Sequence, residues 1–230
     1  MNHAVHRTRI KICGITRVAD ALAAADAGAD AIGLVFWPGT PRVVAPERAR
    51  EIVAAVPAYV SVVALFVDPT PHEVRATLDA VAIDVLQFHG SEAPEFCRAF
   101  GRRYVKAVPV KDDVDLLESA SSYGDAAGVL FDAYREGDLP GGTGRAFDWA
   151  RLSSAVRSRI GAPVILSGGL DPDNVAGAVH RVAPWGVDVS SGVEERDAAG
   201  VPRRGFKDAA RIRAFVEGVR SADGRRFTAS

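Results

Sequence analysis

Hydrophobic positions in this 230-residue chain fall into short runs of β-branched and apolar residues, each followed by a longer stretch whose apolar positions recur every three or four residues. The first pattern reads as strand and the second as helix. Strands are expected at 10–12, 31–36, 60–66, 85–88, 104–108, 128–132, 163–166 and 186–189. They are near-continuous apolar runs, as a parallel sheet covered on both faces requires. Helices are expected at 18–27, 46–54, 71–78, 94–100, 114–119, 148–157, 173–179 and 206–220. Pro46, Pro71 and Pro94 sit at helix starts, where a missing N–H does no harm. Eight alternating units in about 220 residues match an α/β fold of the single (β/α)8 TIM-barrel type, with an open doubly wound sheet as the competitor. No fixed-period repeat or linker divides the chain, so one domain spanning 1–230 is expected, with frayed tails at about 1–8 and 222–230.

Composition narrows the function. Hydrophobic residues make up 48% and charged residues 25% of the chain, enough for a sizeable core. Lys+Arg total 28 against Asp+Glu 29, a formal net charge of −1, so no global positive field would gather nucleic acid. A small anion in a local pocket stays open. Cys13 and Cys97 form no CxxC pair, which argues against a disulfide scaffold or zinc site, and His3 and His6 have no ligand-like companions, so no metal is expected. No apolar run approaches the roughly 20 residues that span a bilayer, and the N-terminal residues show no secretory h-region, so a soluble cytoplasmic protein without membrane partners is expected. A monomer is the default expectation and a homodimer the alternative.

In a parallel barrel the residues just after each strand gather at one face, where catalytic groups sit. The first strand ends in Lys11-Ile12-Cys13-Gly14 and the sixth in Phe131-Asp132-Ala133, so a thiol and a carboxylic acid share that face. A free cysteine is often just a small buried hydrophobe, and an aspartate after a strand can be a helix cap or half of an ion pair. Making a thiol half ionised at pH 7 needs a shift of roughly 1.5 pH units, about 2 kcal/mol, from its usual pKa of about 8.5. Three glycine-rich segments keep company with this pair: 139–145 after the sixth strand, with Gly142 and Gly144; Ser167-Gly168-Gly169-Leu170 after the seventh; and Ser190-Ser191-Gly192 after the eighth. Backbone N–H groups on such loops can converge on a phosphate. Segment 139–145 is not a dinucleotide fingerprint, because it does not directly follow a strand. Arg42, on the proline-stiffened loop after the second strand, could fork onto a carboxylate or be a solvated surface charge. Gln87 and His89 close the fourth strand; His89 could be a base or a ring bonded to nearby backbone, and it is given a supporting role beside the substrate. Asp188 could be a structural acid or a contact to a sugar or amine. Cys97, spaced helically between Phe96 and Phe100, reads as packing.

Taken together, KICGIT at 11–16, Pro41-Arg42, QFHG at 87–90, FDA at 131–133, GGTGRAFDW at 141–149, SGGL at 167–170 and DVSSGVE at 188–194 resemble the phosphoribosylanthranilate isomerases of tryptophan biosynthesis, from about Ile10 to Val219. The resemblance implies an Amadori rearrangement of a phosphorylated sugar substrate without cofactor or metal. It implies Asp132 as general acid and Cys13 as base, Arg42 on the anthranilate carboxylate, and the loops holding Gly144, Gly169 and Ser191-Gly192 on the phosphate. Thr40 stands where the family often has serine, a hydroxyl-for-hydroxyl replacement. Two rivals remain: the histidine-pathway aminoaldose isomerase or a dual-substrate enzyme, which resembles a two-aspartate design, and a non-catalytic phosphosugar-binding protein with Cys13 as redox sensor.

Overall fold

The computed structural model describes residues 7–111, 115–133 and 147–228. Eight strands alternate with helices: β1 Arg9–Cys13, α1 Val18–Ala27, β2 Ala31–Val35, α2 Pro46–Ala55, β3 Ser61–Phe66, α3 Pro71–Ala80, β4 Val85–Phe88, α4 Pro94–Arg98, β5 Tyr104–Val110, α5 Leu116–Ser121, β6 Gly128–Ala133, α6 Ser154–Arg157, β7 Val164–Leu166, α7 Val175–Val182 and β8 Gly186–Val189. All neighbouring pairs are parallel, and β8 returns to β1 so that the sheet closes into a barrel in sequential order. Closure rules out the open doubly wound sheet. Proline opens α2, α3 and α4, and Thr70 with Glu73 closes a capping box on α3, so three of the helix starts are written locally.

The strand register separates two phases of side chains. Ile10, Ile12, Ile32, Leu34, Phe66, Phe88 and Phe131 belong to the large cluster packed under the helices. The alternate phase points into the barrel. It carries Lys11 and Cys13 on β1, level with Gly33 on β2, followed by Val63 and Leu65 on β3, Gln87 on β4, Leu130 and Asp132 on β6, and Asp188 on β8. Truncating one of the fully buried rings of the outer layer, Phe88 or Phe131, would cost about 3–5 kcal/mol. The outer layer therefore holds the barrel, which leaves the inner phase able to carry polar groups.

Three expectations change. Residues 148–157 form a 3₁₀ turn, Trp149–Leu152, and the short α6 rather than one helix, because Asp148 and then Ser153 each cap a fresh start. Phe206 lies not in a helix but in an antiparallel hairpin, β9 Glu194–Arg196 with β10 Pro202–Lys207, after which α8 runs Ala209–Thr228. The tails are not frayed at Thr8 or at 222–223: Asp223 on α8 is buried and accepts from the backbone N–H of Thr8 at 2.8 Å and from its hydroxyl at 2.8 Å, which ties the two ends together. Residues 1–6, 114, 229 and 230, also covered by those expectations, lie outside the described ones.

Candidate active site

Cys13 ends β1 and Asp132 lies near the end of β6, and both open onto one cleft of about 450 Å³ at the carboxyl end of the barrel, together with Thr40, Arg42, His89, Ser167, Asp188 and Ser190. A thiol and a carboxyl group drawn from opposite halves of the chain thus face one volume. Burial pushes the Cys13 thiol above its ordinary value; the Lys11 charge opposes this, Asp188 reinforces it, and Lys207 opposes it from β10.

The carboxyl side is built on β4 and β6. His89 Nε2 lies 3.0 Å from Asp132 Oδ2, and Gln87 Nε2 lies 3.1 Å from His89 Nδ1. If the Gln87 amide donates, the ring carries its hydrogen on Nε2 and donates to Asp132. If the amide turns over, the same ring can accept a proton from Asp132. His89 is therefore bonded through its ring to a carboxylate rather than to backbone. Gln87, expected beside the substrate, is only 1% exposed and lies beneath His89, where its amide meets the imidazole. Its position two residues before His89 on an extended strand puts both side chains on the same inward face, one layer apart.

Gly168 stands at the turn after β7. Its backbone φ is +82°, and a side chain there would press to 2.4 Å from the Ala133 N–H nitrogen and 2.8 Å from Asp132 Oδ1. Its smallness lets the loop after β7 close against Asp132, and it lines neither cavity. Beside the cleft, and joined to it through Arg42, a second cavity is lined by Gly169, Leu170 and Asp171 after β7, Ser191 and Gly192 after β8, and Arg196 and Arg204 on the hairpin. Ser190 faces the first cleft instead and meets the Lys207 ammonium through its hydroxyl at 3.3 Å and its carbonyl at 3.0 Å. Gly142 and Gly144 lie outside the described residues.

Arg42 is neither a solvated surface charge nor a wholly free fork. Its Nε donates to Glu194 Oε1 at 2.7 Å and its Nη2 to Oε2 at 2.9 Å. Glu194 is 0% exposed and also accepts from the Gly205 backbone N–H at 2.9 Å and from Lys207 Nζ at 3.2 Å. Burial raises the Glu194 carboxyl, but the bonds from Arg42 and the Lys207 charge outweigh it and hold the group below its ordinary value. One edge of the guanidinium is thus filled; Nη1 and the second Nη2 hydrogen remain for a ligand among the described residues. Glu194, Lys207 and Lys11 escape the sequence reading. Lys11 carries a faint signal, since two residues before Cys13 on a strand is the same face. Glu194 and Lys207 carry none, because only the folding back of β9–β10 brings them to Arg42. Among the described residues no group of three or more histidine, cysteine or acidic side chains could hold a metal ion, and no helix is long and apolar enough to cross a membrane.

A closed parallel barrel with a thiol, an imidazole and carboxyl groups gathered at the carboxyl ends of its strands has the architecture of the (β/α)8 enzymes. Residues 10–218 match the family model described as N-(5'phosphoribosyl)anthranilate (PRA) isomerase. The N-(5'-phosphoribosyl)anthranilate isomerase of Alcanivorax borkumensis is 52% identical over 213 residues, which cover 93% of this chain and 95% of the relative. The crystal structure of phosphoribosyl anthranilate isomerase from Thermotoga maritima superposes with a TM-score of 0.82 at 36% identity, covering 93% of this chain and 99% of that one. A structure of the enzyme in complex with reduced 1-(o-carboxyphenylamino)-1-deoxyribulose 5-phosphate superposes with a TM-score of 0.79, also at 36% identity and with the same coverage. The chain belongs to the phosphoribosylanthranilate isomerase family.

Proposed function

We propose that the protein isomerises N-(5-phosphoribosyl)anthranilate to 1-(2-carboxyphenylamino)-1-deoxyribulose 5-phosphate, a step of tryptophan biosynthesis, with Asp132 as acid and Cys13 as base. The observation that carries this reading is the opening of both groups onto one cleft, which shares Arg42 as a wall with a neighbouring cavity lined by Gly169, Gly192, Arg196 and Arg204.

Asp132 gives a proton to the ribose ring oxygen while the C1–O bond breaks and the anilino nitrogen lone pair forms the C1=N bond of a cationic Schiff base. His89, 3.0 Å away, is placed to steady the carboxylate left behind and to return a proton to it. The Cys13 thiolate takes the C2 proton: the S–H bond forms, the C2–H electrons become the C1=C2 bond, and the iminium pair returns to nitrogen. Tautomerisation of this enolamine, with a proton moving from the C2 hydroxyl to C1, completes the ketone. Each positioned proton-transfer group contributes roughly 10²–10⁴-fold.

Anchoring follows the two cavities. The phosphate belongs with Gly169, Ser191 and Gly192, which line one space with Arg196 and Arg204 and offer backbone N–H donors suited to an anion. The anthranilate carboxylate belongs on the open edge of Arg42, and Asp188 beside Cys13 is placed for the sugar hydroxyls. Mixing the purified protein with phosphoribosylanthranilate generated in situ, and following the loss of its fluorescence, tests the activity. Decay at the uncatalysed rate would refute it and would favour a phosphosugar-binding module.

A further inference from the structure

Lys11 is an ammonium-bearing side chain on the inward face of the barrel, among apolar inward neighbours such as Val63 and Leu130 as well as the polar Asp188. It stands opposite Asp188 in the β1–β8 register, and its Nζ lies 2.9 Å from Asp188 Oδ1. Both side chains are nearly sealed from solvent, at 12% and 6% exposed. A buried ion pair of this kind brings little net stability over apolar packing, so filling space does not explain it.

Its placement does. Lys11 and Cys13 lie two residues apart on one face of β1, and both reach over Gly33 on the adjacent strand. A Cβ on Gly33 would lie 2.8 Å from Cys13 Sγ and 3.0 Å from Lys11 Nζ, so the sulfur and the ammonium press on the same bare backbone carbon. Asp188 takes one of the three N–H groups of the ammonium, and the thiol lies within reach of another. The remaining charged or titratable groups around the thiol are Lys207 on β10, occupied by Glu194 and Ser190, and Arg42, His89 and Asp132 across the cleft.

We propose that Lys11 is a positioning residue of this site, whose ammonium fixes the Asp188 carboxylate and stabilises the Cys13 thiolate. The assignment rests on the reading of Cys13 as the base. Burial disfavours the Lys11 ammonium, but attraction to Asp188 and then to the thiol carries it above the ordinary lysine value, so the charge persists wherever the thiol titrates. Among the influences on that thiol, Lys11 is the largest that favours its ionised form.

The test is the pH dependence of Cys13 alkylation by iodoacetamide in the ligand-free protein, which needs no substrate and so stands apart from the isomerase assay. Cys97 is fully buried in the outer core whereas Cys13 opens onto the cleft, so Cys13 is the thiol that reports. Lys11→Met should move the alkylation midpoint up by about one pH unit and lower kcat about tenfold with a smaller change in KM, while Lys11→Arg recovers much of both. Lys11→Gln is the second neutral replacement should the methionine variant not fold. An unmoved midpoint in a folded neutral variant would overturn the proposal. So would failure of both neutral variants to fold while Lys11→Arg folds, since Lys11 would then serve stability alone. Absence of isomerase activity together with a shifted midpoint would instead retain the Lys11–Cys13 coupling and reject the substrate.

Discussion

Arg42, on the loop after β2, and Glu194, at the start of β9, meet as a buried two-bond pair, Nε to Oε1 at 2.7 Å and Nη2 to Oε2 at 2.9 Å. The pair fixes which edge of the guanidinium looks into the cleft and, through Lys207, ties that edge to Ser190. The part of the site proposed for the carboxylate and the loop proposed for the phosphate are therefore one rigid unit.

Glu194→Ala removes the acceptor of four bonds and leaves Arg42 and Lys207 buried without their shared counter-charge. The expected cost is about 3–5 kcal/mol of folding stability, read from urea denaturation. A loss under about 1 kcal/mol would show that the cluster reorganises freely.

Arg42→Ala should weaken binding chiefly for ligands bearing the aromatic carboxylate, and Arg42→Lys should not restore it, because one ammonium cannot serve Glu194 and a ligand with a planar fork. Titration with product analogues with and without the carboxylate separates the cases; equal losses for both would remove the assignment.

Cys13→Ser and Asp132→Asn should each lower kcat by at least about 100-fold with a much smaller effect on ligand affinity, as groups acting in the transition state do. Near-normal turnover by either variant would dissolve the proposed pair.

The pH profile follows from the direction of the thiol shift. Burial holds the Cys13 thiol above its ordinary value, and the ionised form is the base. The rate of Cys13 alkylation in the ligand-free protein should therefore climb as pH rises and should still be climbing at about pH 8.5, the usual thiol value. A plateau already reached near neutral pH would contradict it.

Asp223→Ala removes the acceptor for two bonds from the buried Thr8. Leaving that N–H and hydroxyl unsatisfied should cost about 1–3 kcal/mol, measurable as a lower denaturation midpoint with turnover at the native temperature little changed. Wild-type stability in this variant would return both ends to the status of loose tails.

The alternation of strand and helix was readable from the chain because its causes are local: apolar runs, prolines at helix starts and a capping box all act within a few residues. So was the candidacy of Cys13 and Asp132, since position after a strand places a residue at one rim of a barrel. Closure of the sheet, the Glu194 clasp on Arg42, the β9–β10 hairpin and the Thr8–Asp223 tie were decided only by the tertiary structure. In each case the partners are brought together by the circular return of β8 to β1, or by chain folding back after β8. Hydrogen bonds and ion pairs act over a few ångströms of space, whereas sequence patterns report on neighbours along the chain.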